Sequence, residues 1–220
     1  MKTNILITGA LALSLCFTGC QNNASKSEND HSSMDSGDMD MGAMPMSSGM
    51  QPAMDKMMTD MHQMTMSGNV DHDFAMMMKS HHQAAVDMAQ AELESGKNEE
   101  LKKMAQKIID AQKKEISELD SFLDKHKNPE KNYDPAMKDE GFSKVMNQNM
   151  TMMMDMPKMD HKSTTDEHFV QMMIPHHQGA VQMAEGFVQF GKDPVLISIA
   201  KKMIADQKME IEQFKKWSDK

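Results

Sequence analysis

Two stretches of the sequence carry one pattern: FAMMMKSHHQAAVDMA at residues 74–89 and FVQMMIPHHQGAVQMA at residues 169–184. His176 follows His81 by 95 positions, and the same offset relates the two copies without a gap from residue 57 to residue 124 of the first. A constant offset over so long a stretch indicates an internal duplication. The fold is therefore expected to consist of one unit built twice.

Each copy has the periodicity of two amphipathic helices. Apolar and histidine side chains recur three or four positions apart along the first helix, namely at Phe74, Met77, Met78, His81, Ala85 and Met88. Asp71 is expected to cap that helix, and Asn98 is expected to cap the second. The second copy repeats this pattern with Asp193 and with Pro194 at the first helical position. Short connections make neighbouring helices antiparallel, so two such hairpins predict an all-α, antiparallel four-helix bundle.

Composition and the repeat divide the chain into five segments. Residues 1–19 are expected to be a signal peptide, 20–49 a disordered Met-rich tether, 50–127 the first hairpin repeat, 128–139 a linker and 140–220 the second repeat. The tether has too few branched and aromatic residues to offset the entropy of ordering it. The methionine-rich lead-in before each hairpin is long enough to form one short additional helix.

The N-terminus has the features of a bacterial export signal. Lys2 precedes an apolar run that is too short to span a bilayer, and a small-residue site ends at Cys20. The sequence FTGC resembles a lipobox with Phe17 at the usual leucine position. Cys20 is therefore expected to carry lipid and to anchor an extracytoplasmic protein to a membrane, facing the periplasm or the cell surface. Ordinary secretion with cleavage nearby is the alternative. Cys16 leaves with the signal, so the protein would bind its ligand without a free thiol.

Charge and composition favour a cation as the ligand. The net charge is −9, every basic residue is lysine, and 31 of the 220 residues are methionine. An acidic chain without arginine is a poor binder of phosphate and of nucleic acid. Thioether sulfur is a neutral, soft donor that prefers Cu(I) and its chemical analogue Ag(I), and imidazole also binds Cu(II). The sequence therefore predicts copper as the bound metal, above all Cu(I), with Ag(I) or Cu(II) also accommodated.

The candidate metal ligands are methionines and histidines, most of them lying one above another on the first helix of each copy. They are His72, Met76, Met77, Met78, His81, His82 and Met88 in the first copy, His168, Met172, Met173, His176, His177 and Met183 in the second, and Met61 and His62 in the first lead-in. Adjacent helical residues point about 100° apart. We therefore expect His81 and His176 to face the seam between the hairpins, with His82 and His177 at its shoulder.

A methionine stripe at helical spacing is more often core than ligand. Met104, Met203 and Met209 are assigned to the core for this reason, whereas Met88 and Met183 fit either role. The methionines of the tether have no core to fill, because their neighbours are Ser, Asp, Gly and Asn. A soft-metal function explains the enrichment in both settings.

Polar residues on the second helix of each copy are candidates for supporting the histidines. Gln112 and Glu115 stand three positions apart on one helix side, as do Gln207 and Glu210. Such residues either hydrogen-bond the histidines and fix their tautomers or lie in solvent, and the sequence leaves both alternatives open.

The motif FxxMMxxHHQxAVxMA, followed in each copy by QxxEI, resembles the bacterial family known as domain of unknown function DUF305. That resemblance implies a ferritin-like four-helix fold, here in two tandem copies. Because some members are periplasmic copper-binding proteins of the CopM type, it also implies extracytoplasmic copper binding and tolerance. The first copy departs from the usual motif in having Ser80 where the second has Pro175. This difference puts the equivalence of the two sites in doubt.

Three functions remain in competition. The leading hypothesis is a non-catalytic protein that sequesters or delivers copper or silver, with a copper-exporting or copper-accepting protein as its partner. A ferritin-like di-iron enzyme is disfavoured, since that chemistry uses Glu-x-x-His motifs and neither hairpin copy contains one. A methionine-rich oxidant sink would explain the tether but not the paired histidines.

Overall fold

The computed structural model describes residues 49–154 and 163–220, which lie within the unit Met41–Lys220. These ranges form helices and loops and contain no strand. The helices are α1 Met50–Gln63, α2 Val70–Ser95, α3 Glu99–Lys125, α4 Gly141–Met154, α5 Thr165–Phe190 and α6 Pro194–Ser218. The all-α prediction is confirmed. The predicted signal peptide, Cys20 and nearly all of the tether lie outside the described residues.

Two long hairpins, α2–α3 and α5–α6, meet mainly through α2 and α5. Phe74 stacks on Phe187 with ring centroids 4.0 Å apart, and His81 packs on His176 at 3.8 Å. From Phe74 to His81 the residue number rises along α2, while the residue number of the contacted ring on α5 falls from 187 to 176. The two central helices are therefore antiparallel. The lead-ins form the short helices α1, which packs on α2, and α4, which packs on α5. None of the described helices is both long enough and apolar enough to cross a bilayer.

Aromatic rings and thioethers fill the core between the helices. Phe74, Phe169, Phe187 and Phe214 are fully buried, and Phe169 meets Phe214 edge to face at 5.4 Å. Around them lie buried methionines, namely Met50, Met54, Met57, Met61, Met77, Met78, Met88, Met104, Met146, Met153, Met172, Met173, Met183 and Met203. The assignment of Met104 and Met203 to the core is therefore confirmed. The assignment of Met209 is wrong, because its side chain is 59% exposed on the outer face of α6.

The helix starts agree with the sequence at Asn98 and Asp193 and differ at Asp71. The side chain of Asn98 accepts hydrogen bonds at the start of α3, and Asp193 accepts one at the start of α6, with Pro194 as the first helical residue. The cap of α2 is instead Asn69, whose side chain accepts from the His72 amide at 3.1 Å. The prediction for Asp71 is wrong because its carboxylate reaches a partner outside its own helix.

Asp71 and its counterpart Asp166 each bind the turn of the other hairpin. The Asp71 carboxylate accepts from the backbone amides of Lys192 and Asp193, at 2.8 and 2.9 Å. The Asp166 carboxylate accepts from the amides of Lys97 and Asn98, both at 2.9 Å. These amides lie at the starts of α6 and α3, where helical N–H groups lack partners in their own helix. This reciprocal cap fixes the two hairpins relative to each other at both ends of the α2–α5 pair.

The loop of residues 126–140 between α3 and α4 is attached to the start of α2. The Tyr133 hydroxyl donates to the buried Asp73 carboxylate at 2.7 Å, and the Tyr133 amide donates to the carbonyl of Gly68 at 3.0 Å. Gly68 has a φ of 83°, a left-handed conformation that favours glycine. The carboxylate of Asp73 also accepts from the Ser67 hydroxyl at 2.7 Å, which ties the end of the first lead-in to the same point.

Glu92 is a buried acid that faces the reciprocal cap. Its side chain is fully buried, and burial together with the neighbouring Asp166 carboxylate raises the pKa of Glu92 to about 8. The side chain folds over Gly96, where an added Cβ would lie 2.3 Å from a Glu92 carboxyl oxygen. The corresponding residue of the second copy is Phe187, so the two ends of the molecule differ in polarity.

Replacing Asp71 by alanine tests the reciprocal cap. Asp71→Ala leaves two amides at the start of α6 without their acceptor, and we expect a loss of about 1–3 kcal/mol in the free energy of unfolding. Asp110→Ala is the matched control, because that carboxylate accepts only from the exposed side chain of Gln106 on its own helix. Urea denaturation at neutral pH measures both variants. Equal losses in the two would contradict the reciprocal cap.

The raised pKa of Glu92 predicts a pH-dependent stability. Since the folded pKa of about 8 exceeds the ordinary value of 4.5, the folded state retains a proton that the unfolded state releases. Stability therefore falls as pH rises between these values, by at most about 1.4 kcal/mol per pH unit. Glu92→Gln removes this dependence, so its advantage over the native protein grows from pH 5 to pH 8 in denaturation experiments. The exposed Glu94→Gln is the control and is expected to keep the native slope.

Candidate metal centre

The centre of the α2–α5 contact is a pair of fully buried histidines. The rings of His81 and His176 lie 3.8 Å apart between centroids, at an interplanar angle of 43°. Nε2 of His176 donates to the backbone carbonyl of His81 at 3.1 Å, which leaves its Nδ1 without a partner. Neither ring nitrogen of His81 has a hydrogen-bond partner. The two histidines lie in the seam between the hairpins, as their spacing predicts.

The neighbouring histidines turn away from the seam toward the outer helices. Nε2 of His82 lies 2.8 Å from the Glu115 carboxylate on α3, and Nε2 of His177 lies 2.9 Å from the Glu210 carboxylate on α6. A carboxylate only accepts, so in each ring Nε2 carries the proton. In the neutral ring Nδ1 holds the lone pair, and Nδ1 has no hydrogen-bond partner in either residue. The glutamates thus fix one tautomer and orient the rings, as supporting residues do in metal sites.

Burial keeps the seam histidines neutral. Burial, and then the proximity of other histidines, lowers the pKa of His81 well below its ordinary value of 6.5. The same causes lower the pKa of His176, with the His81 carbonyl opposing them weakly. Neutral imidazole is the form that binds metal ions, because the protonated ring offers no lone pair.

Methionines stand one helical turn before each histidine. Met77 and Met78 precede His81 and His82, and all four side chains are buried. Met172 and Met173 have the same positions in the second copy and are also buried. Met88 and Met183 are fully buried as well, but seven residues of helix correspond to about 10 Å along its axis. These two remain candidate ligands only for an ion at another level of the core.

The other candidate ligands lie at further positions on α1, α2 and α5. Met61 is buried on α1, whereas His62 is exposed there with Nδ1 donating to the Met58 carbonyl at 2.8 Å. His72 lies at the start of α2, with Nδ1 3.4 Å from the Asp73 carboxylate. Met76 on α2 is partly buried, and His168 on α5 is buried near the start of its helix.

The glutamines expected to support the histidines behave differently from the glutamates. Gln112 and Gln207 are buried, which excludes the solvent alternative for them. Their amide groups have no hydrogen-bond partner, so they do not bond the histidines as expected. Glu115 is also buried, and Glu210 is partly exposed at the edge of α6.

Met153 of α4 is a neighbour of His81 that the sequence analysis missed. Sδ of Met153 and Nε2 of His81 each lie 3.4 Å from the point where a Cβ on Gly179 would stand. The methyl carbon of Met152 lies 3.6 Å from the same point. The sequence contains one signal of this contact, namely Gly179 at the position where the first copy has Ala84. A glycine on a buried helix face allows a neighbouring helix to approach closely.

The donor atoms that meet in this region are imidazole nitrogen, thioether sulfur and single carboxylates. Across residues 49–154 and 163–220, no three side chains among His, Cys, Asp and Glu come together as a group able to hold a metal. α5 remains helical through Pro175, beside His176.

Comparison with known proteins gives one family and several solved structures. The family model described as "Domain of unknown function (DUF305)" matches residues 71–218 in one continuous span. CopM in its Cu(I)-bound form is 30% identical, with a TM-score of 0.51, over 68% of this chain and 95% of that one. CopM in an Ag-bound form gives the same identity and TM-score, and CopM in the Cu(II)-bound form is 31% identical with a TM-score of 0.50.

A DUF305 protein from Streptomyces coelicolor is 27% identical, with a TM-score of 0.53, over 68% of this chain and 91% of that one. No curated protein matches the sequence. A single family match spans both halves of the chain. That the chain contains two tandem copies of the family domain therefore remains a prediction.

Removal of Glu115 tests whether the carboxylate sets the His82 tautomer. Glu115→Ala leaves a buried ring N–H unpaired, so we expect a loss of about 1–3 kcal/mol in stability and a mixed tautomer at His82. Long-range ¹H–¹⁵N spectra of the metal-free protein distinguish the tautomers, and urea denaturation gives the stability. Glu118→Ala on the same helix is the control, since that side chain forms an exposed ion pair with Lys114 at 3.8 Å. An unchanged His82 spectrum in Glu115→Ala would contradict the assignment.

Proposed function

This chain belongs to the DUF305 family, and we propose that it is an extracytoplasmic protein that binds copper through histidine and methionine side chains. Cu(I) is the proposed ion, with Ag(I) as its analogue. The observation that carries the proposal is the fully buried His81–His176 pair, which has unpartnered ring nitrogens in a core lined with methionine.

The cost of burying these imidazoles supports a ligand-binding role. A buried polar atom without a hydrogen-bond partner costs about 1–3 kcal/mol. Ring nitrogens without partners occur in all four histidines at the centre of the bundle. Burial keeps His81 and His176 in the neutral form that a metal requires. A ligand that uses these lone pairs would turn the cost into binding free energy.

The donor set supports a soft ion. Thioethers bind Cu(I) and Ag(I) well and bind Zn²⁺, Mg²⁺ and Ca²⁺ poorly. CopM, which shares the fold, has been solved with Cu(I), Ag and Cu(II) bound. In this chain, buried thioethers and neutral imidazoles offer donors that such ions accept.

We place the protein outside the cytoplasm, held to a membrane by lipid on Cys20. The export signal and the FTGC sequence support this location. The methionine-rich segment between the anchor and the bundle would add further soft ligands near the membrane. The proposed role is sequestration of copper or its delivery to an exporting or accepting protein, without catalysis.

Metal titration of the purified protein tests the proposal. Cu(I), Ag(I) and Zn(II) are titrated in parallel into the full mature chain, with Cys20→Ser so that no unlipidated thiol contributes. We expect Cu(I) and Ag(I) to bind at least tenfold more tightly than Zn(II). The double variant His81→Gln/His176→Gln is expected to lose at least tenfold in Cu(I) affinity.

His126→Gln is the control for the double variant. That ring is exposed, with Nδ1 donating to the Phe122 carbonyl at 2.8 Å, and its loss is expected to leave Cu(I) affinity unchanged. Zn(II) binding equal to or tighter than Cu(I) binding would refute the soft-ion proposal. Growth of a deletion strain under copper and under peroxide separates copper tolerance from the oxidant-sink alternative.

A further inference from the structure

α4 packs unusually close to α5 because two glycines lie on the facing side of α5. Gly179 and Gly186 are seven positions apart and so share one helix face. A Cβ on Gly186 would stand 2.2 Å from Cγ1 of Val145, so a side chain there would force α4 away. Nδ2 of the buried Asn149 donates to the Gly179 carbonyl at 2.7 Å, which fixes the position of α4 along α5.

This packing brings the end of α4 to the histidine pair. At Gly179, Sδ of Met153 and Nε2 of His81 approach one common point, each at 3.4 Å, and the Met152 methyl lies 3.6 Å from it. Met153 is buried, whereas Met152 is 36% exposed and Met154 is 57% exposed. Two thioethers thus lie close to the His81 ring, one buried and one at the surface.

The equivalent place in the first copy is built differently. Gly179 and Gly186 correspond to Ala84 and Ala91, which carry the methyl groups that the glycines lack. His176 is the counterpart of His81, and its Nε2 donates to the His81 carbonyl. Of the four central histidines, His81 alone has both ring nitrogens without a partner.

We propose that the tightest metal site is a single asymmetric one, in which His81 of α2 and Met153 of α4 are ligands above Gly179 of α5. This inference rests on the proposed copper function. Imidazole nitrogen and thioether sulfur are both donors that Cu(I) accepts, and flexible methionine can close the remaining distance. Met152, at the protein surface beside the site, is the entry ligand for the ion. The glycines of α5 are positioning residues, because they admit α4 without touching the metal.

Matched methionine variants test the asymmetry. Met153→Leu removes the proposed sulfur at nearly constant volume, and Met58→Leu removes its counterpart on α1. Cu(I) affinity is measured by competition with bicinchoninate in the full mature chain carrying Cys20→Ser. We expect Met153→Leu to weaken the tightest site at least tenfold and Met58→Leu to change it less than twofold. Circular dichroism and urea denaturation confirm that each variant folds.

Methyl NMR locates the ion directly. With methionine labelled at its ¹³C methyl group, the first equivalent of Ag(I) is expected to shift the Met153 and Met152 signals before the others. Met153→Leu identifies the Met153 signal by its loss. Gly179→Val places side-chain carbons at the point that both donors approach while keeping both donors, and it is expected to weaken binding as Met153→Leu does.

The outcomes separate this inference from the function on which it rests. If the native chain binds Cu(I) and Met153→Leu binds within twofold of it, the asymmetric site is wrong and the copper function stands. If Met58→Leu and Met153→Leu weaken binding equally, the asymmetry is wrong. If the native chain binds neither Cu(I) nor Ag(I), the proposed function itself fails.

Discussion

The contact between α2 and α5 imposes the main constraint on this fold, because it buries polar rings where apolar ones would pack at lower cost. His81 and His176 meet at the middle of the contact, and the stack of Phe74 on Phe187 lies toward one end. Burying an apolar side chain contributes about 1.5–3 kcal/mol, so the surrounding phenylalanines and methionines can offset unpartnered ring nitrogens. The apolar burial around the pair thus opposes the cost of its unpartnered nitrogens, which an apolar pair would avoid.

Much of the architecture followed from local sequence. Helical spacing located the long helices, and Asn98, Asp193 and Pro194 marked their starts correctly, because capping acts within one turn. Asp71 was misassigned because its partners lie in the other hairpin, and no local pattern reports such a contact. Met209 was misplaced for a related reason, since hydrophobicity alone does not tell which face of α6 is covered.

The candidate site was foreseeable only in part. The recurrence of paired histidines pointed to the seam. Glu115 and Glu210 were candidates for bonding the histidines, but the sequence left a position in solvent equally open. Met153 was not foreseeable in the same way, because its approach to His81 depends on how closely α4 packs on α5. That distance is set by Gly179 and Gly186. The glycine at 179 signals a close approach, but the sequence does not tell which residue approaches. Divergence between the copies, such as Glu92 against Phe187, likewise concerns tertiary neighbours rather than helix formation.

The reciprocal cap has a consequence for the symmetry between the two hairpins. Each hairpin completes its own turn only with a carboxylate contributed by the other hairpin, and the two contributions are equivalent. This is the pattern of an isologous two-fold interface, in which a surface contacts a copy of itself. The two hairpins therefore contact each other as two copies of one hairpin would in a symmetric dimer. Because both hairpins lie in one chain, equivalent positions can hold different residues, as Glu92 and Phe187 do, which two identical subunits could not.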